Sequence, residues 1–263
     1  MPDRTLYEQG TPNWVDLQTT DQSGAKAFYG QLFGWEFDDQ PMPDGQVYSM
    51  ALKRSGSVAA IAPQSPELAA HNAPTMWNTY IAVDDVDAAT ARADSSGGKV
   101  LMPAFDVVGA GRMSFVADPS GAAVALWQAR DHVGATVVNE PGAVVWNELV
   151  TDDVPAAVRF FEAVLGIGSE VQDMGIGAYT MFTVAGRAVC GATPPQSAET
   201  PNHWHVYFQV EDVPATAAKA AALGGTALGA PIDTPVGPMV TLKDPQGGTF
   251  TVMAPPASDD RTT

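Results

Sequence analysis

The chain has 263 residues, 45% of them hydrophobic, and its 13 basic and 30 acidic side chains give a formal net charge of −17. This much apolar mass excludes bulk disorder, and the length suits two domains of roughly 130 residues each. Because so acidic a chain repels phosphate backbones and anionic membrane surfaces, we expect neither nucleic acid nor a membrane as its partner.

The first predicted elements are a strand that contains Trp14 and an amphipathic helix that follows it. Asp21 stands where a helix N-cap belongs, and Gly34 stands where a helix would end. Between them, apolar side chains recur three and four residues apart, as on one face of a helix; they are Ala25, Phe28, Tyr29 and Leu32. The chain therefore opens with a strand–helix unit.

A second strand–helix unit begins at Trp77. An alanine-rich helix is predicted from about Val86 to Ser96, before the glycine pair at 97–98. Further along, the sequence Asp118-Pro-Ser-Gly is typical of a tight turn that joins two strands. Each unit is thus a strand, a helix and about three further strands.

Both units return in the second half of the chain. The segment from Trp146 aligns without gaps on the segment from Trp14, an offset of 132. The segment from Trp204 aligns on that from Trp77, an offset of 127, and Asp244-Pro-Gln-Gly repeats the turn. Ordered internal repeats of this kind indicate duplicated modules.

The repeats predict an α+β protein of four βαβββ modules in two tandem domains. We place the first domain at residues 11–130 and the second at residues 143–254. The linker between them, residues 131–142, contains turn-forming glycine and proline. Residues 1–10 and 255–263 are predicted to be loose tails.

Three motifs in these modules resemble the vicinal oxygen chelate superfamily, which includes glyoxalase I, extradiol dioxygenases and bleomycin-resistance proteins. They are the strand–helix opening with its Phe-Tyr pair and closing glycine, the Val-Asp-Asp-Val step and the Asp-Pro-x-Gly turn. The resemblance covers nearly the whole chain and extends to two-domain actinobacterial proteins labelled glyoxalase-like or hydroxylase. It implies that each domain curls a mixed sheet around a cavity, with helices outside. Activity does not follow, because one fold hosts many functions.

Metal enzymes of this superfamily hold their ion with side chains from the first strand of each module and a glutamate on a last strand. The matching positions are Trp14, Asn78 and Ala125 in the first domain and Trp146, His205 and Thr251 in the second. Only His205 is a usual ligand, and one imidazole does not make a divalent site. We therefore predict no metal and no other cofactor. A divalent ion held by His203, His205 and Glu148 is the remaining alternative.

Side chains alternate between the two faces of a strand, so each sheet is expected to present one face to its cavity. The predicted cavity residues are Trp14, Asp16, Gln18, Asn78 and Tyr80 in the first domain and Trp146, Glu148, His203, His205, Tyr207 and Gln209 in the second. A register slip of one residue would exchange the faces. Tryptophans with few polar groups are typical of a small-molecule site and equally of a filled core.

Asp16 and Glu148 occupy equivalent positions on the two predicted cavity faces. A carboxyl group in an apolar pocket has a raised pKa and can transfer protons. The alternative is a structural ion pair, for which Arg112 is the expected partner of Asp16. Since histidine titrates near neutrality, we predict Glu148, His205 and Tyr207 as the catalytic set, and the other cavity residues, with Arg112, as ligand contacts.

The sequence leaves the function open among three possibilities. The first is a metal-independent lyase, isomerase or hydroxylase-like enzyme acting on an aromatic or carbonyl compound. The second is a non-catalytic protein that sequesters a small molecule, as bleomycin-resistance proteins do. The third is a metal-dependent glyoxalase or dioxygenase with an atypical ligand set. In each case the partner is a small organic molecule.

Cys190 is the one cysteine, which excludes an internal disulfide and a cysteine-rich zinc site. The N-terminal residues lead into no apolar signal segment, and no run of 18 apolar residues occurs. We therefore expect a cytoplasmic protein, and no obligate protein partner is evident.

Overall fold

A computed structural model describes residues 4–42, 45–174 and 177–256. Its first half forms an eight-stranded sheet with three helices. In chain order the elements are β1 (Pro12–Thr19), α1 (Gln22–Phe33), β2 (Glu36–Pro41), β3 (Val47–Lys53), β4 (Gly56–Pro63), α2 (Pro66–Ala70), β5 (Met76–Ala82), α3 (Val86–Ser95), β6 (Lys99–Val107), β7 (Gly111–Ala117) and β8 (Ala123–Ala129).

The second half repeats this arrangement with a nine-stranded sheet and two helices. Its elements are β9 (Val144–Val150), α4 (Val154–Leu165), β10 (Gly168–Asp173), β11 (Ala178–Val184), β12 (Arg187–Thr193), β13 (His203–Gln209), α5 (Val213–Ala222), β14 (Thr226–Ala227), β15 (Ile232–Thr234), β16 (Gly237–Lys243) and β17 (Thr249–Met253). Within the described parts of the chain, no helix is long and apolar enough to cross a membrane.

Each sheet joins two modules through the first strand of each. The strand order is β2-β3-β4-β1-β5-β8-β7-β6 in the first sheet and β10-β11-β12-β9-β13-β17-β16-β14 in the second, where β15 also pairs with β16. In the first sheet β1 runs parallel to β4 and antiparallel to β5, so the sheet is mixed. Both sheets stay open. The predicted α+β class and the tandem duplication are confirmed.

The repeated helix signals fold as the sequence predicts. The Asp21 carboxylate accepts a hydrogen bond from a backbone N–H in the first turn of α1, and Asp153 does the same for α4. Gly34 and Gly166 end these helices with φ values of 73° and 71°. Glycine adopts this left-handed conformation without the steric cost that a Cβ atom brings.

The two domains pack through the helix-bearing faces of their sheets. One apolar core joins Leu17 and Tyr29 of the first domain to Phe208 of the second, and another joins Ile81 to Phe161. The helices therefore lie outside each predicted cavity but between the two domains. The opposite face of each sheet remains for the candidate sites.

Residues 4–10 were predicted to be a loose tail, and this prediction was wrong. Tyr7 is buried and donates its hydroxyl to the carbonyl oxygen of Ala135 at 2.6 Å. The backbone N–H of Gly10 donates to a carbonyl oxygen of β5 at 2.8 Å. The burial of the Tyr7 ring and these hydrogen bonds fix residues 4–10 against the first domain. Residues 257–263 of the other predicted tail lie outside the described residues.

Candidate small-molecule sites

Side-chain alternation along the central strands agrees with the predicted faces. Val15 and Leu17 lie in the interdomain core, whereas Trp14 belongs to a separate apolar cluster on the other face of the first sheet. In the second sheet, Val206 and Phe208 lie in the interdomain core. The slip by one residue did not occur, so the predicted cavity residues on β1, β5, β9 and β13 share the helix-free faces.

In the first domain, the Asp16 carboxylate is the centre of a buried hydrogen-bond network. Its Oδ2 accepts from the hydroxyls of Tyr80 at 2.6 Å and Tyr48 at 3.1 Å, and its Oδ1 accepts from Asn78 Nδ2 at 2.8 Å. Trp14 Nε1 donates to the Tyr48 hydroxyl at 2.9 Å. Burial raises the pKa of Asp16, and the three donors partly oppose that rise.

The second domain repeats the network around Glu148. Its Oε2 accepts from the Tyr179 hydroxyl at 2.6 Å, and its Oε1 accepts from the Tyr207 hydroxyl at 2.8 Å. Trp146 Nε1 donates to the Tyr179 hydroxyl at 2.8 Å. Burial raises the pKa of Glu148, against the effect of the two hydroxyls and of the charge on His203. Each domain thus holds a carboxylate between two tyrosines, one of which is fixed by a tryptophan.

Sequence reasoning missed one tyrosine in each network. Tyr48 lies on β3 and Tyr179 on β11, at an offset of 131, so extending the internal repeat through these strands would have found both. Gln18 and Gln209 continue the helix-free faces beyond Asp16 and Tyr207 and are half-buried.

The prediction that Arg112 pairs with Asp16 was wrong. The guanidinium of Arg112 donates to Asp87 on α3 at 2.8 Å and lies 3.4 Å from Asp106. The reason is side-chain alternation on β7, where the neighbouring Met113 faces the Trp14 cluster and Arg112 faces the helix. Among the described residues, no Lys or Arg forms an ion pair with Asp16 or Glu148.

The histidines of β13 are held by neighbours other than Glu148. His205 Nε2 lies 2.8 Å from Thr251 Oγ1, which in turn lies 2.9 Å from Thr241 Oγ1. Burial, with the nearby charge of His203, lowers the pKa of His205 to about 3, so its imidazole is neutral at pH 7. His203 Nδ1 lies 2.8 Å from the carbonyl oxygen of Pro201.

The predicted catalytic set is therefore only partly assembled by hydrogen bonds. Glu148 and Tyr207 are bonded directly. The ring of His205 packs edge-on against Tyr207, with 5.3 Å between centroids, while its Nε2 is engaged by Thr251. His205 thus forms part of the wall beside Glu148 as a neutral group.

The residues at the superfamily's metal positions do not fit a metal ion. In the first domain, Trp14 and Ala125 offer no ligand atom. In the second, the imidazole of His205 is bonded to Thr251, and both oxygens of Glu148 accept from tyrosines. Among residues 4–42, 45–174 and 177–256, no group of three or more His, Cys, Asp or Glu is arranged to hold an ion.

The two sites differ in what covers them. In the first domain the linker passes over Trp14, and the His132 ring lies edge-on to it with 4.5 Å between centroids. Trp127 Nε1 donates to the carbonyl oxygen of His132 at 2.9 Å, which holds the linker in place. Trp14 is consequently only 4% exposed, whereas Trp146 and Tyr207 are half-buried. The second site is the more accessible one.

Comparison with known proteins agrees with this fold. The model of the Glyoxalase/Bleomycin resistance protein/Dioxygenase superfamily matches residues 11–126, and a glyoxalase-like domain model matches residues 143–253. CFP32 of Mycobacterium tuberculosis, provisionally named a glyoxylase, is 55% identical over 97% of this chain and 98% of its own length. The anthracycline biosynthesis protein DnrV of Streptomyces peucetius is 38% identical over 95% and 94%. The chain belongs to the glyoxalase/bleomycin resistance protein/dioxygenase superfamily.

Solved structures share the fold at low identity. A Mn(II)-bound glyoxalase from Novosphingobium aromaticivorans is 16% identical, with a TM-score of 0.64 over 95% of this chain and 83% of that one. The 2,3-dioxygenase LapB from Pseudomonas sp. KL28 is 16% identical, with a TM-score of 0.65 over 98% of both chains. These likenesses concern the architecture.

Proposed function

We propose that the second domain binds an aromatic or carbonyl compound and that Glu148 transfers a proton to or from it without a metal. The observation that carries the proposal is the buried Glu148 carboxylate, which is held by two tyrosine hydroxyls and paired with no cation among the described residues. Burial raises the pKa of Glu148, which makes its carboxylate a stronger base.

The surroundings of Glu148 favour a neutral or cationic ligand. Trp146, Tyr179 and Tyr207 are half-buried and offer flat surfaces on which an aromatic ring can stack. Among the described residues, no Lys or Arg forms an ion pair with the Glu148 carboxylate, and such a buried carboxylate repels anions and attracts hydrogen-bond donors. The Streptomyces relatives are named for anthracycline biosynthesis, and anthracyclines are aromatic, which supports an aromatic ligand.

The proposed chemistry is proton abstraction next to a carbonyl group. A Glu148 oxygen accepts the proton, and the electron pair of the broken C–H bond moves to the ligand's carbonyl oxygen as an enolate. A tyrosine hydroxyl that otherwise donates to Glu148 is released to donate to that oxygen, because a protonated carboxyl group needs fewer donors. Return of the proton to another atom gives an isomer. Neutral His205 lines the wall and carries no proton in this scheme.

Sequestration without turnover is the second candidate, and one observation favours it. Both Glu148 oxygens and the His205 Nε2 atom are satisfied by protein groups before any ligand binds. In that case the same aromatic surface binds the compound and the carboxylate only anchors the tyrosines.

One experiment separates the two candidates. The full chain is incubated in D₂O with an anthracycline and with simple aromatic ketones, and binding and deuterium uptake next to the carbonyl are followed by NMR. Binding with deuterium uptake that Glu148→Gln abolishes supports the enzyme, and binding without uptake by the native chain supports sequestration. If Trp146→Ala leaves binding unchanged, the second-domain site is the wrong one.

A further inference from the structure

Tyr29 on α1 and Phe161 on α4 occupy equivalent positions in the duplicated halves, and they differ by one hydroxyl group. The Tyr29 hydroxyl accepts a hydrogen bond from Trp77 Nε1 at 3.1 Å and donates to Asp244 Oδ2 at 2.8 Å. It therefore satisfies a donor of the first domain and an acceptor of the second.

In the other half the donor and the acceptor are both present, but the hydroxyl is not. Trp204 stands at the position of Trp77, and Asp118 opens the same Asp-Pro-x-Gly turn as Asp244. Trp204 Nε1 and Asp118 Oδ2 are buried, and neither has a hydrogen-bond partner among the described residues. Unpaired buried polar atoms are costly, so two of them at one place call for a bridging group.

The contact with the tryptophan is the same at the two positions. The rings of Phe161 and Trp204 are perpendicular with 5.5 Å between centroids, and those of Tyr29 and Trp77 are perpendicular with 5.3 Å. Phe161 thus holds its ring against Trp204 as Tyr29 does against Trp77, but it has no hydroxyl group to pair Trp204 with Asp118.

The glycine contacts that bring the Asp118 turn to α4 are also duplicated. Gly98 lies against the ring of Phe160 and against the carbonyl oxygen of Ala117, the residue before Asp118. Gly225 lies in the same way against the ring of Phe28 and against the carbonyl oxygen of Lys243, the residue before Asp244. The Asp118 turn therefore lies against α4 as the Asp244 turn lies against α1.

We propose that Trp204, Asp118 and Phe161 form a binding site for one water molecule, at the place that the Tyr29 hydroxyl takes in the other half. The bound group must accept from an indole N–H and donate to a carboxylate oxygen. A metal cation cannot accept the first hydrogen bond, and a halide cannot donate the second. Asp118 Oδ1 already accepts from the backbone N–H groups of Ser120 and Ala122, which leaves Oδ2 as the acceptor for water.

The test is a set of three high-resolution crystal structures, of the native chain, Phe161→Tyr and Tyr29→Phe. We expect a water within hydrogen-bond distance of Trp204 Nε1 and Asp118 Oδ2 in the native chain. In Phe161→Tyr the new hydroxyl replaces it, and in Tyr29→Phe a second water appears between Trp77 and Asp244. Because Phe161→Tyr exchanges a bound water for a covalent hydroxyl, we also expect its Tm to rise by about 2–4 °C.

A direct hydrogen bond between Trp204 and Asp118 would overturn the proposal, as would an ion or an ordered but empty gap between them. If Phe161→Tyr does not fold, the native chain and Tyr29→Phe still decide the matter, because each has its own expected water.

Discussion

His132 packs edge-on against Trp14, with 4.5 Å between the ring centroids. The contact places the interdomain linker over the first of two otherwise similar carboxylate networks. Trp146, the counterpart of Trp14, is half-buried. The two duplicated domains therefore differ in how accessible their sites are to a ligand. Trp14 fills a core, whereas Trp146 offers a surface on which a ligand can bind.

This difference predicts opposite effects for two alanine substitutions. Trp146→Ala should weaken binding of an aromatic ligand at least about fivefold, since a lost stacking contact is worth about 1 kcal/mol or more. Trp14→Ala should leave binding in the second domain nearly unchanged but lower the free energy of unfolding by about 3–5 kcal/mol. Ligand titration and urea unfolding of both variants check the pair. Equal binding losses would show that both domains bind.

Glu148→Gln tests the proposed proton transfer. It keeps one oxygen that can accept from a tyrosine but removes the base, so deuterium uptake or turnover should fall about a hundredfold or more. Asp16→Asn is the matched control in the first domain and should change the rate less than about twofold. A Glu148→Gln protein with native turnover, or an Asp16→Asn protein without it, would contradict the assignment.

His205 should make the protein sensitive to acid. Burial lowers its pKa to about 3, from 6.5 in an unfolded chain, so the unfolded state binds the proton first as the pH falls. The stability that the neutral imidazole contributes is complete above about pH 6.5 and is lost progressively toward pH 3. Between pH 7 and pH 5 the loss is about 2 kcal/mol.

Urea unfolding at both pH values measures this effect. We expect His205→Gln to lose about 2 kcal/mol less than the native chain over this interval. His71→Gln, which alters an exposed histidine, should keep the native pH dependence. If His205→Gln and the native chain lose equal stability, the imidazole is not held neutral in the folded protein.

Metal removal should have no effect. Trp146, His205 and Thr251 do not provide a divalent ligand set, and Glu148 is held by tyrosines. Protein purified without a histidine tag should contain no stoichiometric zinc, iron, nickel or manganese, and a chelator should change neither Tm nor ligand binding. One bound ion per chain, lost together with activity, would overturn this prediction.

The sequence was sufficient for the architecture because the internal repeat places the opening strand and helix of each module twice. It also placed Trp14, Asp16, Trp146 and Glu148 on the helix-free faces, since alternation from a core strand is strict. Prediction from the sequence failed where the position of a side chain depends on packing between segments that are distant in the chain. The ring contact between His132 and Trp14 joins residues that are 118 positions apart in the chain, so no local sequence pattern indicates it.

Arg112 shows a second limit. Its strand was recognised, but nothing in the local sequence fixed which of its faces met the helix, and an error of one residue sends a side chain to the opposite face. Tyr48 and Tyr179 were within reach of the sequence, because they repeat at an offset of 131. Only the folded sheet shows that their hydroxyls donate to Asp16 and Glu148.

The central claim is that the ligand binds on the Trp146 face of the second domain. The most direct test is a crystal structure of the full chain with an aromatic carbonyl compound bound. We expect the ligand ring against Trp146 and a ligand polar group within hydrogen-bond distance of Glu148, Tyr179 or Tyr207. A ligand bound in the first domain beside Trp14, with His132 displaced and the second site empty, would contradict the account.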